Sequence, residues 1–401
     1  MLDPADLDAA DPLAFARGRF RIPDGLIYLD GNSLGVLPKS TPARLGVTSE
    51  QEWGDGLISS WNAAGWIDWP LSIAARLAPL VGASPDELLI CDSTSINLFK
   101  LAMAACALRP DRKVILTEEA NFPTDIYMLQ SAAKLSGAEL RAVPRSELSA
   151  ALDQTVGLLS LTHVDYRSGE RHDLVGLTGE AHRAGALTLW DLSHSAGVLA
   201  VDLARDNADF ALGCGYKYLS GGPGAPAFLF VRRGLQQLCT NPLPGWFGHE
   251  SPFDFDTGYR PATGIARFQT GTPPILAMAA LDEGLKLFAN VDTADVEAKT
   301  GRLGDLFIEN VGDCLALASP RDAGRRGGHI VFAHDAAYSI VQASIERGVI
   351  GDFRAPNLAR FGFAPLSLTY SEVAKAGAIV RDVVLSDYWR EPRFAERKAV
   401  T

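Results

Sequence analysis

The sequence predicts an α/β protein with a mostly parallel, mixed sheet and a smaller α+β unit towards its C-terminal end. Three observations carry that reading. From about residue 73 to 233, short apolar runs alternate with helix-length stretches. Those runs are apolar at consecutive positions, as strands covered on both faces must be. Beyond residue 290 the pattern changes to a charged helix followed by short strands.

Taken in order, residues 4–17 carry the apolar spacing of an amphipathic helix, and residues 26–30 read as a strand ending in the turn Gly31-Asn32-Ser33-Leu34-Gly35. A helix over 39–55 follows, then a tryptophan-rich loop over 61–69. Strands are predicted at 88–91, 113–116, 157–162, 188–191 and 210–214, with helices at 95–108, 122–136 and 178–186 between them. Residues 225–231 form one further strand. The glycine turn at 221–224 that leads into it is too short for a parallel crossover, so this strand runs antiparallel. Residues 240–275 are rich in glycine, proline and aromatic side chains without a period, and read as a long functional loop or a subunit contact. A helix at 276–290 leads to the smaller unit. No repeat or Gly/Ser tether separates the parts, so they pack together rather than swing.

Composition excludes several classes. The 401 residues suffice for two or three domains. With 37 Lys+Arg against 48 Asp+Glu the net charge is −11, and no basic block is present to follow a phosphate backbone. Nucleic acid is therefore not an expected partner. The five cysteines, Cys91, Cys106, Cys214, Cys239 and Cys314, are widely spaced and lack metal-binding pairs, so they read as free thiols in a reducing compartment. The acidic N-terminus has no secretion-signal pattern, and no apolar run approaches the roughly 20 residues of a membrane span. A cytoplasmic protein without membrane contact is expected.

In open α/β sheets, ligands bind beyond the carboxyl ends of the strands, which directs attention to the polar residues that close each one. Ser93-Thr94-Ser95 opens a helix, where hydroxyls and bare N–H groups either cap the helix or receive a phosphate. Asp191 ends a buried strand and must find donors or a cation: it is either the cap of the next turn or the partner of a charged ligand nitrogen. His194 lies three residues on, as a structural histidine or a member of the same site. Lys217 stands between Tyr216 and Tyr218 rather than among charges. It reads as a surface charge or as a desolvated lysine able to form a Schiff base. An aspartate at one strand end and a lysine at the next are what pyridoxal phosphate requires.

Five runs then point to one family. Tyr28-Leu29-Asp30-Gly31-Asn32-Ser33-Leu34-Gly35, Phe122-Pro123-Thr124-Asp125, Trp190-Asp191-Leu192-Ser193-His194-Ser195-Ala196-Gly197, Gly215-Tyr216-Lys217-Tyr218-Leu219 and Phe268-Gln269-Thr270-Gly271-Thr272-Pro273-Pro274 together resemble the kynureninases, over nearly the whole chain. The resemblance implies a fold-type-I pyridoxal-phosphate transferase-like α/β fold with a mixed, mostly parallel sheet of the seven-stranded type. It further implies an N-terminal segment over 1–49 packed with the small domain, a large coenzyme domain over 50–285 and a small C-terminal α+β domain over 286–401.

Carried over by position, the resemblance makes Lys217 the Schiff-base lysine and Asp191 the pyridinium partner, with Phe122 stacked on the ring and His194 nearby. Thr94, Ser95, Thr124, Asp125, Thr162 and Tyr216 surround ring and phosphate, while Trp246 and Thr272 reach in from the partner subunit of a homodimer with shared sites. Arg360 matches the arginine that grips a substrate α-carboxylate, with Asn32 also at the substrate, and Trp66, Gly271 and Thr272 border the substrate's aromatic ring. Trp66 is alternatively a core or interface aromatic. Tyr216 is a proton donor or relay, or a packing contact beside the phosphate. The implied reaction is hydrolysis of L-kynurenine to anthranilate and L-alanine, with L-kynurenine preferred over its 3-hydroxy form. Another pyridoxal-phosphate enzyme of the same class, a cysteine desulfurase or an aminotransferase, is the alternative; a desulfurase needs a reactive thiol in a mobile loop, for which Cys239 comes nearest.

Overall fold

The computed structural model describes residues 3–397. Its central sheet has seven strands: β1 Leu88–Ile90, β2 Val114–Glu118, β3 Glu139–Val143, β4 Val156–Thr162, β5 Leu187–Asp191, β6 Phe210–Gly213 and β7 Phe228–Val231. Across the sheet the order is β1-β7-β6-β5-β4-β2-β3. From β6 to β3 all neighbours are parallel, and β7 is antiparallel to both β6 and β1, as the short glycine turn requires. β4 and β5 are buried at every position. Because successive side chains alternate between faces, Leu187, Leu189, Phe210 and Leu212 pack with Leu98, Leu101 and Leu129 of the helices Thr94–Leu108 and Pro123–Ser136. Leu159, Leu161, Trp190 and Ala211 enter the core on the other side. Two-sided burial leaves the strand ends as the place where polar groups collect.

The edge strand β3 is absent from the sequence reading. Its residues Glu139-Leu140-Arg141-Ala142-Val143 are half-buried or exposed, so they show no continuous apolar run. Other departures are local. The helix expected over 4–17 is two, Pro4–Ala9 and Ala14–Arg17, interrupted at Asp11-Pro12 where proline supplies no N–H. Residues Thr41–Val47 are α-helical and continue as a π-helix over Thr48–Asp55. The expected tryptophan loop is instead a series of short helical turns, Ser60–Ala63 and Trp66–Asp68, running into the helix Trp69–Leu77; Gly65, at φ +70°, allows the change of direction. The strand expected over 26–30 is shortened to Ile27–Tyr28, paired in parallel with Val349–Ile350.

The C-terminal part holds a four-stranded antiparallel sheet of β8 Ala316–Leu317, β9 His329–Ala333, β10 Asp352–Arg354 and β11 Leu358–Gly362, in the order β10-β11-β9-β8. Its two faces differ in chemistry. Ile330, Phe332, Phe361 and Phe363 meet the helices Thr293–Val311 and Tyr370–Leu385 in one apolar core, with the Phe307 ring 4.9 Å from that of Phe361. Truncating Phe307 to alanine there costs about 3–5 kcal/mol by the usual cavity arithmetic. Arg360 is paired with Val331 across one ladder and with Asp352 across the other, so His329, Asp352, Arg354 and Arg360 share the opposite face. The N-terminal segment touches both parts. Leu13, Ala16 and Phe20 enter the large core, while buried Asp11 pairs with Lys299 at 2.6 Å and Arg17 with Glu372 at 2.6 Å.

Burial holds the imidazoles of His163 and His329 down to about 3. An unfolded histidine titrates near 6.5, so such a group contributes stability that is present above about pH 6.5 and lost as the pH falls towards 3. Between pH 7 and pH 5 the loss is about 2 kcal/mol per histidine. The stability difference between His329→Gln and the parent should therefore shift by about 2 kcal/mol in the variant's favour over that range, read from urea unfolding. Parallel pH profiles for the two proteins would contradict this account.

Candidate active site

The carboxyl ends of β4 and β5, the segment beyond β6 and the starts of two helices enclose a cavity of about 330 Å³. Thr94, Ser95, Phe122, Thr124, Asp125, Thr162, Asp191, His194, Tyr216 and Lys217 all line it. The sequence reading expected each of these ten at the coenzyme. Ser93 caps the helix Thr94–Leu108 by accepting from the Ile96 N–H at 3.4 Å, which leaves the hydroxyls of Thr94 and Ser95 and the first amides at the cavity wall. Phe122 precedes the helix Pro123–Ser136, its ring 41% exposed and edge-on to Tyr166 at 5.2 Å.

Two buried carboxyls stand together at the floor. Asp191 accepts from the Ser193 N–H at 2.7 Å. Asp125 lies 3.2 Å from the Thr162 hydroxyl, which is itself 2.6 Å from the Asn121 amide oxygen. Burial first, and then the charge of Asp191, hold Asp125 well above the usual carboxyl range. Burial also raises Asp191, against the opposing pull of Ser193 and Lys217. Two carboxylates in so dry a place do not both ionise, and Asp125 is the one that keeps its proton.

Lys217 Nζ lies 3.0 Å from His194 Nε2 and 5.8 Å from the centre of the Tyr216 ring. Burial, and then the Lys217 charge, push His194 well below its ordinary value, so the ring is neutral and accepts from the ammonium. Burial raises the Tyr216 phenol, which stays protonated at any physiological pH. The Gly31–Gly35 turn closes this corner. Gly35 N–H donates to the Tyr216 carbonyl at 2.8 Å, and a Cβ at Gly35 would collide with the Lys217 carbonyl.

Six expected residues lie outside the cavity. Arg360 is 1% exposed and sits behind Tyr166, donating from Nη1 to the Tyr166 carbonyl at 2.7 Å, from Nε to Asp352 at 2.8 Å and from Nη2 to Ser33 at 3.0 Å. Asn32, with its amide oxygen turned to the guanidinium, accepts from Nε and Nη2 at 3.0 and 3.1 Å. Trp66 is buried, donates from Nε1 to Glu52 at 3.1 Å and meets Trp61 edge-on at 5.8 Å. Trp61 in turn lies 5.8 Å from Phe247, which packs 4.4 Å from Trp246, so these aromatics form one continuous patch. Trp246, Gly271 and Thr272 are exposed. The sequence reading did not single out Tyr166, Ser193, Asp352, Arg354 or His329. The signal for Asp352 and Arg354 is their period of two on either side of Phe353.

The donor set suits pyridoxal phosphate: an ionised aspartate waiting for a ring N–H, an exposed phenyl face for the ring, a helix start with two hydroxyls for the phosphate and a lysine for the aldehyde. Solved structures share this fold. An apo cysteine desulfurase from Thermococcus onnurineus matches with a TM-score of 0.80 at 19% identity, covering 93% of this chain and 98% of its own. A variant of the lyase C-DES with glycine covalently linked to its PLP cofactor matches at 0.78 and 18%, covering 91% and 99%. Fold and site together define a pyridoxal-phosphate enzyme of fold type I.

Sequence relatives narrow the class. Kynureninases from Pseudomonas fluorescens and Burkholderia mallei are each 46% identical over 407 residues, covering 98% of both chains, and the family model for the kynureninase C-terminal domain matches residues 296–380. The chain belongs to the kynureninase family, pyridoxal-phosphate-dependent hydrolases that cleave a carbon–carbon bond of kynurenine.

The two carboxyls should respond differently to neutralisation. Asp125→Asn replaces a group that is already uncharged, and coenzyme affinity is expected to stay within about threefold of the parent. Asp191→Asn removes the anion facing the ring nitrogen, and affinity should fall about 10- to 100-fold. Equilibrium dialysis of the apoproteins against pyridoxal phosphate distinguishes them; equal losses would show that the proton is not on Asp125.

Proposed function

We propose that the enzyme hydrolyses L-kynurenine to anthranilate and L-alanine, with Lys217 as its coenzyme-binding and proton-carrying residue. The carrying observation is the Lys217–His194 contact at 3.0 Å in a cavity that the buried carboxyls of Asp125 and Asp191 also line. Bound there, pyridoxal phosphate supplies an electron sink for bonds broken beside the substrate's α-carbon. The other roles belong to the chain. Asp191 would hold the ring nitrogen protonated, Phe122 would cover one ring face, and Thr94 and Ser95 would receive the phosphate with the helix start. Lys217 would hold the aldehyde and, once free, would take and return the substrate α-proton, with neutral His194 accepting its hydrogen bond between transfers. Water adding to the ketone carbon would supply the new carboxyl oxygen, and the protonated Tyr216 phenol, beside Lys217, would give its proton to the β-carbon as the bond between the two carbons breaks, regaining one from that water.

A homodimer completes the site in this reading. Trp246 and Thr272 lie outside the cavity of their own chain, on a segment whose Phe253, Phe255 and Tyr259 are also exposed. Trp246 and Thr272 of the partner subunit would then close the cavity, and Trp66 would follow through the aromatic patch it shares with Phe247. The free thiols suit a cytoplasmic enzyme. Desulfurase chemistry has no support here: burial raises all five thiols, Cys239 to about 12, where a reactive thiol is held low.

Two measurements test the proposal. On adding L-kynurenine, the holoenzyme should release fluorescent anthranilate, and borohydride should fix the coenzyme to the peptide containing Lys217; an adduct on Lys39, Lys100 or Lys113 would falsify the site. Lys217→Ala should fold and turn over almost nothing.

Substrate choice follows from the aromatic pocket. The Trp66 indole N–H is committed to Glu52, and Gly271 has open space and no side chain, so neither offers a partner to a 3-hydroxyl. Burying that hydroxyl unpaired costs roughly 1–3 kcal/mol, which predicts a kcat/KM about 5- to 100-fold higher for L-kynurenine than for 3-hydroxykynurenine. The triple variant Trp66→His, Gly271→Ser, Thr272→Asn should narrow the ratio. A parent that prefers the hydroxylated substrate, or a ratio unmoved in the variant, removes this pocket assignment.

A further inference from the structure

The polar face of the small sheet carries more positive charge than its own carboxylates answer. Asp352, Arg354 and Arg360 share that face, since Asp352 and Arg354 are two apart on β10 and Arg360 lies directly across from Asp352 on β11. Asp352 is held ionised by Arg360. Asp30, the other carboxyl of the cluster, is pushed up to about 7, first by burial and then by Asp352. Two guanidiniums thus face one full negative charge and one partial one.

Donor accounting separates the arginines. Arg360 has five N–H bonds and spends almost all of them: Nε on Asp352 and Asn32, Nη2 on Asp352 and Ser33, and one of the two on Nη1 on the Tyr166 carbonyl. Its side chain is 1% exposed. One N–H cannot grip a carboxylate in the bidentate manner expected from the sequence. Arg354 is different. Its Nη2 lies 2.7 Å from Asp352 and 3.4 Å from Ser33, its Nε is buried without a partner among the described residues, and its side chain is 37% exposed. The cluster abuts the cavity wall, because Arg360 holds the carbonyl of cavity-lining Tyr166 and the ring of His329, on the same face, lies 5.3 Å from that of cavity-lining His194.

We propose that Arg354 is a second arm of the substrate's α-carboxylate site, supplying the donors that Arg360 has already committed. Asp352 then acts as a positioning residue that holds both guanidiniums on one face. The inference rests on the reading of this site as one for an α-amino acid bound beside Lys217.

Arg354→Gln tests it, with Arg354→Lys as a variant that keeps the charge and loses the planar fork. Binding to the holoenzyme is read from the coenzyme's visible absorption, using L-alanine and L-alaninamide, which differ only in the carboxylate. The dissociation constant for L-alanine should rise about 10- to 100-fold in Arg354→Gln and less in Arg354→Lys, while that for the amide stays within about twofold. KM for L-kynurenine should rise in step, with kcat changed by less than about threefold. An unchanged visible spectrum and melting temperature establish that the variants are folded. Equal losses for acid and amide, or no loss for either, overturn the proposal. These readouts do not depend on kynurenine cleavage, so a parent that binds L-alanine but leaves L-kynurenine intact would defeat the functional reading and leave the role of Arg354 decided by its own measurement.

Discussion

Two carboxyl groups buried side by side set the terms for the rest of the site. Asp125 and Asp191 sit where parallel strands and helix starts converge, out of contact with water, and two negative charges in that place would repel without screening. One must keep its proton. Asp125 does so, leaving Asp191 as a single anion with one donor from its own turn, at Ser193. That anion needs a cation, and the chain places Lys217 near enough to influence both carboxyls. A protonated heteroaromatic ring held there would answer the same need more closely, because its N–H is directional and Phe122 offers an exposed face to it.

The small domain solves a different problem with the same strand geometry. Alternation along β9, β10 and β11 sends Phe332, Phe361 and Phe363 into one apolar core and His329, Asp352, Arg354 and Arg360 to the other side. Neither face can be exchanged for the other without a register slip that would bury the charges and expose the phenylalanines. The apolar face therefore fixes where the charges stand. His329, whose ring is 5.3 Å from that of His194, shows how directly the ionic face of this sheet meets the site built by the other.

These two devices were unequally visible in the sequence. The strand ends of the large sheet were legible because a continuous apolar run that stops at Asp191, or a lysine between two tyrosines, marks a boundary that few other arrangements produce. The antiparallel course of β7 was legible for a related reason, a turn too short for anything else. The edge strand β3 was not, since it lacks the two-sided burial that makes its neighbours readable. The commitment of Arg360 to Asp352 was hidden as well. The pair is eight residues apart across a hairpin whose register only the fold reveals, so Arg360 read as a free fork. The tryptophans of 53–69 misled in the opposite direction, because their crowding suggested a loop where side-chain contacts with Glu52 and Phe247 organise short helices.

The division of labour between the sheets also explains how one fold serves unlike chemistries. The desulfurase and lyase structures share this architecture at 18–19% identity, a likeness that speaks for the fold alone. Within the chain, the groups that would hold the coenzyme stand at the ends of the large sheet and on the helices that begin there. None of those groups distinguishes a ketone from a thiol. Selection would then fall to groups outside that set: the ionic face of the small sheet, the aromatic patch from Trp66 to Trp246, and the thiols. In this chain the thiols are withdrawn into surroundings that keep them protonated, while on the ionic face Arg354 Nε has no partner among the described residues and the patch ends in the exposed Trp246 ring. A carboxylate at one end of a substrate and an aromatic ring at the other are the groups the proposed reading assigns to those two surfaces.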